Sequence, residues 1–118
     1  MSPEIIKGHF FGTKSDVWSL GIILLELIEG EPVYFEEPPL RALFKISRDG
    51  VPPLKQPEKW SYRLKDFYHS STVFDQDKRF STSQLISHPF LKKCCTKEEF
   101  SDFVKQVQLL KENLNYFY

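Results

Sequence analysis

Apolar positions along the chain recur three and four residues apart, and no stretch alternates strictly over strand length. That is a helical pattern almost throughout. A short helix is expected to open at Ser2-Pro3-Glu4, with a cap-type Ser, a Pro in the first turn and then an acid, and to close at Gly8. The strongest helix is expected from Asp16 to Glu29, with Thr13-Lys14-Ser15-Asp16 as cap candidates. Its Val17, Trp18, Leu20, Ile22, Ile23, Leu24, Leu25, Leu27 and Ile28 wrap nearly all faces, so it reads as a central strut buried on most sides. Gly30 is its stop. Gly21, inside it, costs about 1 kcal/mol against Ala and is expected to permit a close packing.

Glu36-Glu37-Pro38-Pro39 opens the next helix, with Leu40, Leu43 and Phe44 on one face. Asp49-Gly50 turns the chain into the proline-rich loop from Val51 to Pro57. Ser61 is placed to cap a helix bearing Leu64, Phe67 and Tyr68, and Ser81-Thr82-Ser83-Gln84 fits a capping box for a helix that stops near Pro89. Thr96-Lys97-Glu98-Glu99 is a second such candidate. It leads an amphipathic helix with Phe100, Phe103, Val104, Val107, Leu110 and Leu114 on one face. That helix is expected to pack back on the rest of the chain, and the close at Asn115-Tyr116-Phe117-Tyr118 is strongly aromatic.

Composition narrows the function classes. The 118 residues suffice for one domain, and 16 basic against 16 acidic residues give no net charge. A nucleic-acid binder working through phosphate contacts needs a basic excess, so none is expected here. No apolar run reaches the roughly 20 residues of a membrane span, so no membrane insertion is expected and the chain reads as cytoplasmic. Cys94 and Cys95 make no disulfide framework. With His88 they are a poor metal set, because adjacent cysteines seldom supply two good ligand directions. The five glycines are scattered and form no phosphate-binding loop. Asp16 reads either as a helix cap or as an acid that anchors a neighbouring loop. Glu4 and Arg79 each border an apolar segment with no obvious local partner. The residues alone therefore support an all-α globular domain.

Five segments, taken in order, add a resemblance. Met1-Ser2-Pro3-Glu4 resembles the A-P-E element that closes the activation segment of eukaryotic protein kinases. Asp16-Val17-Trp18-Ser19-Leu20-Gly21 resembles D-x-W-S-x-G, and Gly30-Glu31-Pro32-Val33-Tyr34 resembles G-x-P-P-[YF]. Asp75-Gln76-Asp77-Lys78-Arg79 resembles D-x-x-x-R, and His88-Pro89-Phe90-Leu91 resembles the closing H-P-[FW]-[LIF]. Order and spacing both match. Glu29-Gly30-Glu31-Pro32, Glu37 through Leu43 and Asp66-Phe67 are similar to the PAK-like branch of the sterile-twenty group of Ser/Thr kinases. Three positions depart from the pattern: Ser2 for Ala, Val33 for the second Pro, and Ser71-Thr72 where Cys-Leu is frequent.

The resemblance implies the helical C-terminal half of a kinase C-lobe over residues 1–92, followed by an amphipathic helix and tail over 93–118. It implies that Glu4 pairs with Arg79, tying the activation-segment end to a distant helix, and that Trp18 packs near the Glu4 helix. It further implies that Asp16 bonds the backbone of a catalytic loop, and that the helix after Pro39, with Leu40, Arg41, Leu43 and Phe44, docks substrates and regulators. The Gly-rich loop, strand lysine, catalytic aspartate, asparagine and magnesium-binding aspartate of phosphoryl transfer all lie upstream of A-P-E in the family, and this chain begins there. No catalysis, cofactor or metal is therefore expected of these residues alone, and ATP with magnesium belongs to a complete kinase. Without the upstream helices the central helix exposes an apolar face, which calls for protein partners or the missing kinase segments. Two origins are open: part of a signalling kinase cut short in a gene model, or a non-enzymatic relic or decoy that binds kinase partners.

Overall fold

The computed structural model describes residues 1–116, with side chains through residue 114. Among the described residues the chain is helical and has no strand. Its helices are α1 (Pro3–Ile6), α2 (Thr13–Glu29), α3 (Pro39–Asp49), α4 (Tyr62–Ser71), α5 (Thr82–Ile86) and α6 (Lys97–Tyr116), with 3-10 turns at Pro57–Lys59 and Pro89–Lys93.

The local signals act through identifiable hydrogen bonds. Ser61 Oγ accepts from the Leu64 N–H at 3.2 Å and starts α4. At α5 the capping box is complete: Ser81 Oγ accepts from the Gln84 N–H, and Gln84 Oε1 accepts from the Ser81 N–H at 2.8 Å. Gly30 takes the left-handed conformation, φ 78°, and its N–H returns to the Glu26 carbonyl, which ends α2. The start of α2 differs from the sequence expectation. The helix begins at Thr13 behind Gly12, with no side-chain cap, and Asp16 lies in its first turn, exposed. There a carboxylate favours the helix through the positive end of the dipole rather than as a cap.

The core forms where α2 crosses α4 and α5. Val17, Phe67 and Leu85 are buried, and Leu24, Phe80, Phe90 and Leu91 pack against them. Gly21 sits at the closest approach of α2 to the end of α4. A Cβ there would lie 2.5 Å from Thr72 Cγ2 and 2.6 Å from Ser71 Oγ, inside any permitted contact. The departure Ser71-Thr72 and the helix glycine are thus two sides of one packing.

The central helix is not buried on most of its faces. Leu20, Ile23 and Leu27 are exposed. With Leu24 they line an apolar groove of about 350 Å³ completed by Phe67, Leu85, Ile86, Phe90 and Leu91. The tail also departs from expectation. In α6 the apolar residues Phe100, Phe103, Val104, Leu110 and Leu114 are exposed and only Val107 is half-buried, so the helix does not cover the groove. A three-residue connection, Cys94-Cys95-Thr96, separates it from the turn that supplies Phe90 and Leu91, and the amphipathic pattern specified a face without specifying what meets it. Both cysteines are free and exposed. The aromatic close of the chain lies outside the described side chains.

Gly21→Ala should destabilise the chain by about 1–3 kcal/mol through overpacking against Thr72 and Ser71. Urea unfolding measures it, and a midpoint unchanged from the parent would mean that the helices part without cost.

Candidate functional site

The site grows from a charge that the fold removes from water. Arg79 is 1% exposed and Glu4 5%. An unpaired charge so placed would cost several kcal/mol, so the neighbours must satisfy every donor and acceptor. They do. Arg79 Nη1 donates to Glu4 Oε2 at 2.9 Å and Nη2 to Glu4 Oε1 at 3.0 Å, a bidentate pair across 75 positions of sequence. Nε donates to the Val73 carbonyl at 2.8 Å, Nη1 also to that of Lys14 at 2.9 Å, and Nη2 also to that of Phe74 at 3.2 Å. The guanidinium carbon lies 4.9 Å from the centre of the Trp18 ring, which is fully buried.

Glu4 has one more partner. Ser15 Oγ donates to Glu4 Oε2 at 2.7 Å, so a residue expected as a helix cap bonds the carboxylate instead. Burial pushes the Glu4 carboxyl up, but the Arg79 and Ser15 hydrogen bonds outweigh it and bring it down to about 2. Arg79 lies in the loop between α4 and α5, not on a helix as the resemblance implied. That loop is fixed by its own turn, in which the Arg79 N–H bonds the Asp75 carbonyl at 3.1 Å. The clamp therefore joins α1, the first turn of α2 and the loop of Val73–Arg79 in one buried unit.

A second lock had no signal that spacing alone could reveal. His88 is buried, and its Nδ1 accepts from the Phe90 N–H at 3.1 Å. The ring proton therefore sits on Nε2, which donates to Asp66 Oδ2 at 2.7 Å. Phe67 meets the ring edge-on at 5.3 Å. The His-Pro turn is thereby tied to α4.

α3 packs against α1 of the clamp, but its expected docking residues make no hydrogen bond to Glu4 or Arg79. Ile46 is the buried anchor of α3, whereas Leu40 is 82% exposed and Phe44 58%. Arg41 is exposed, 3.6 Å from Glu37, and Leu43 is half-buried. The Lys45 ammonium bonds Glu37 and holds that carboxyl below its usual range. α3 thus presents an apolar and cationic outer face from a pinned start. Asp16 is exposed and makes no side-chain hydrogen bond among the described residues. Among those residues no group of three or more His, Cys, Asp or Glu converges for a metal, and no helix is long and apolar enough to cross a membrane.

Arg79→Met should cost about 3–5 kcal/mol, because it leaves the Glu4 charge buried without its partner. Thermal or urea unfolding reads the loss, and one below 1 kcal/mol would show that the pair is not a structural clamp. The pH dependence follows from the lowered Glu4 value. The unfolded chain, near 4.5, binds a proton that the native chain refuses until about 2. The contribution is complete above pH 4.5 and disappears as pH falls toward 2. Glu4→Gln should flatten the stability profile across that window, and an unchanged slope would assign acid unfolding to other carboxyls.

Comparison with known proteins meets the same residues. The protein kinase domain model matches residues 1–91, which contain the whole clamp. The chain is 47% identical to the serine/threonine-protein kinase pakA of Dictyostelium discoideum over 96% of its own length and 9% of the relative's. It is 44% identical to pakC of the same organism, over 89% of the chain and 22% of the relative. Against the serine/threonine-protein kinase shk2 of Schizosaccharomyces pombe it is 41% identical, over 88% of the chain and 18% of the relative. The chain thus spans less than a quarter of the length of each of these relatives. With its clamp and helical C-lobe architecture, the chain belongs to the protein kinase family, and its similarity runs to the PAK-like serine/threonine kinases.

Proposed function

We propose that these residues serve as the substrate-side part of the C-lobe in a complete PAK-like Ser/Thr kinase, giving structural support and substrate docking to ATP-dependent phosphoryl transfer. The observation that supports this most is the buried bidentate Glu4–Arg79 pair, whose two residues belong to the A-P-E and D-x-x-x-R elements. In such a kinase the pair holds the end of the activation segment, next to the substrate, against α2 and the Arg79 loop. Asp16, exposed at the start of α2, would bond the backbone of the catalytic loop. The outward Leu40, Arg41 and Phe44 would meet protein substrates and regulators, with Leu43 as their base. The groove beside Leu20, Ile23 and Leu27 would be covered by other kinase segments or by a protein partner. The setting is cytoplasmic signalling.

The residues present do not fit a nucleotide–magnesium site. Phosphoryl transfer is positioning and charge stabilisation by a Gly-rich loop, a strand lysine and two metal-holding side chains, and these 118 residues hold none of those motifs. The reading therefore assigns no chemical step to this chain. The 118-residue chain, given ATP, magnesium and a Ser/Thr peptide, should transfer no phosphate above background. Transfer abolished by mutation within the chain would overturn the proposal. In a kinase carrying this segment, Leu40→Ala with Phe44→Ala should raise KM for a protein substrate about tenfold, as expected for two exposed anchors, with kcat kept. An unaltered KM would remove the docking role. A second reading, a non-enzymatic interaction module, draws on the same exposed α3 face. An immunoblot against the Phe100–Leu114 region separates the two readings: a band several times heavier than this chain supports the kinase, and a band only at 118 residues supports the module.

A further inference from the structure

A second cavity lies between the end of α2 and the proline-rich loop. It measures about 330 Å³, within the range of small-ligand sites. Leu25, Val33, Pro52, Pro53 and Leu54 form apolar walls, and Glu29, Glu31 and Lys55 form its charged side. Among the described residues its lining includes none of Leu40, Arg41, Leu43 and Phe44. Tyr34, another wall, is strained: its φ of 53° lies in the left-handed region, which an aromatic residue rarely adopts. Three contacts hold it there. Its hydroxyl donates to the Gly50 carbonyl at 3.1 Å, its carbonyl accepts from the Glu37 N–H at 3.0 Å, and the Lys45 ammonium lies 5.4 Å from the ring centre. Strain maintained in this way collects at ligand clamps. The wall is shaped before a ligand arrives, so binding costs little ordering.

The charged side selects the ligand. The Lys55 N–H donates to Glu29 Oε1 at 3.2 Å, and its ammonium bonds Glu31. The Glu31 bond, with Glu29 and Glu36 nearby, raises the Lys55 ammonium above its ordinary range. Three carboxylates thus surround one ammonium, and the local charge is negative. Each lining carboxylate keeps lone pairs that these bonds do not use. The Lys55–Glu31 pair is exposed, so it contributes little and opens readily. A ligand suited to this cavity has an aliphatic part for the proline and leucine walls and a cation for the carboxylates. An arginine side chain has both: a stem that lies on apolar surface and a fork of five donors.

We infer that this cavity docks an arginine side chain of a partner protein together with an aliphatic neighbour. The Lys55 ammonium holds the Glu31 carboxylate in the free chain, and the incoming guanidinium replaces it. The site is separate from the α3 face, so a partner can occupy it while α3 meets another surface.

NMR titration of the 118-residue chain with the dipeptide acetyl-leucyl-arginine amide tests this. The Tyr34, Leu54 and Lys55 amide signals should move together, with a Kd on the order of 1 mM for so small a probe. Citrulline in place of the arginine keeps the shape and loses the charge, and should weaken binding about tenfold. Glu29→Gln with Glu31→Gln should weaken it about tenfold as well. Lys55→Ala should tighten it about threefold, because the competing cation is gone. Leu40→Ala with Phe44→Ala should leave the affinity unchanged. Amide signals that stay in place, equal affinity for the citrulline peptide, weaker binding by Lys55→Ala, or binding lost with the α3 variant would each overturn the inference.

Discussion

One buried charge organises this half-lobe. A guanidinium cannot be left in the interior unpaired, and Arg79 reaches satisfaction only if three separate stretches of chain converge on it: Glu4 of α1, the Lys14 carbonyl in α2, and the Val73 and Phe74 carbonyls of its own loop. Trp18 then has a cation on its face rather than a void. A pair of this kind adds little net stability over well-packed apolar residues of the same volume, but removing one partner is costly because it strands the other charge. Under the proposed kinase role the requirement would suit a position next to the substrate, where displacement by an ångström matters to transfer.

The second constraint is steric. Gly21 lets α2 approach the end of α4 closely enough that its missing Cβ would collide with Thr72 and Ser71. This contact sets the crossing on one side of α2 and leaves Leu20, Ile23 and Leu27 on the other. The helix is thus half strut and half open surface, and its all-round hydrophobicity fits a molecule in which both sides are covered.

The legible parts of the sequence were those where local chemistry decides. Ser61, Ser81 with Gln84, and Gly30 act within a turn of their own positions, so their sequence signals translate directly into caps. The Glu4–Arg79 pair spans 75 positions and came from motif resemblance rather than from periodicity. Ser15 was misread because a Ser before an apolar run suits a cap as well as a carboxylate partner, and only the tertiary approach of α1 separates the two. The bond between His88 and Asp66 gave no signal for the same reason, although each residue lies in a segment that carries the resemblance. The placement of α6 was misjudged because an amphipathic pattern states that a face needs cover and not which surface supplies it.

The clamp is tested most directly by a double-mutant cycle. Glu4→Gln and Arg79→Met are made singly and together, and each protein is unfolded in urea at neutral pH. If the two side chains act as one buried unit, the double variant should lose less than the sum of the single losses by about 2 kcal/mol, because each single change strands its partner. Losses that add within about 0.5 kcal/mol would contradict the clamp and leave Arg79 as a loop staple with no special bond to the A-P-E segment.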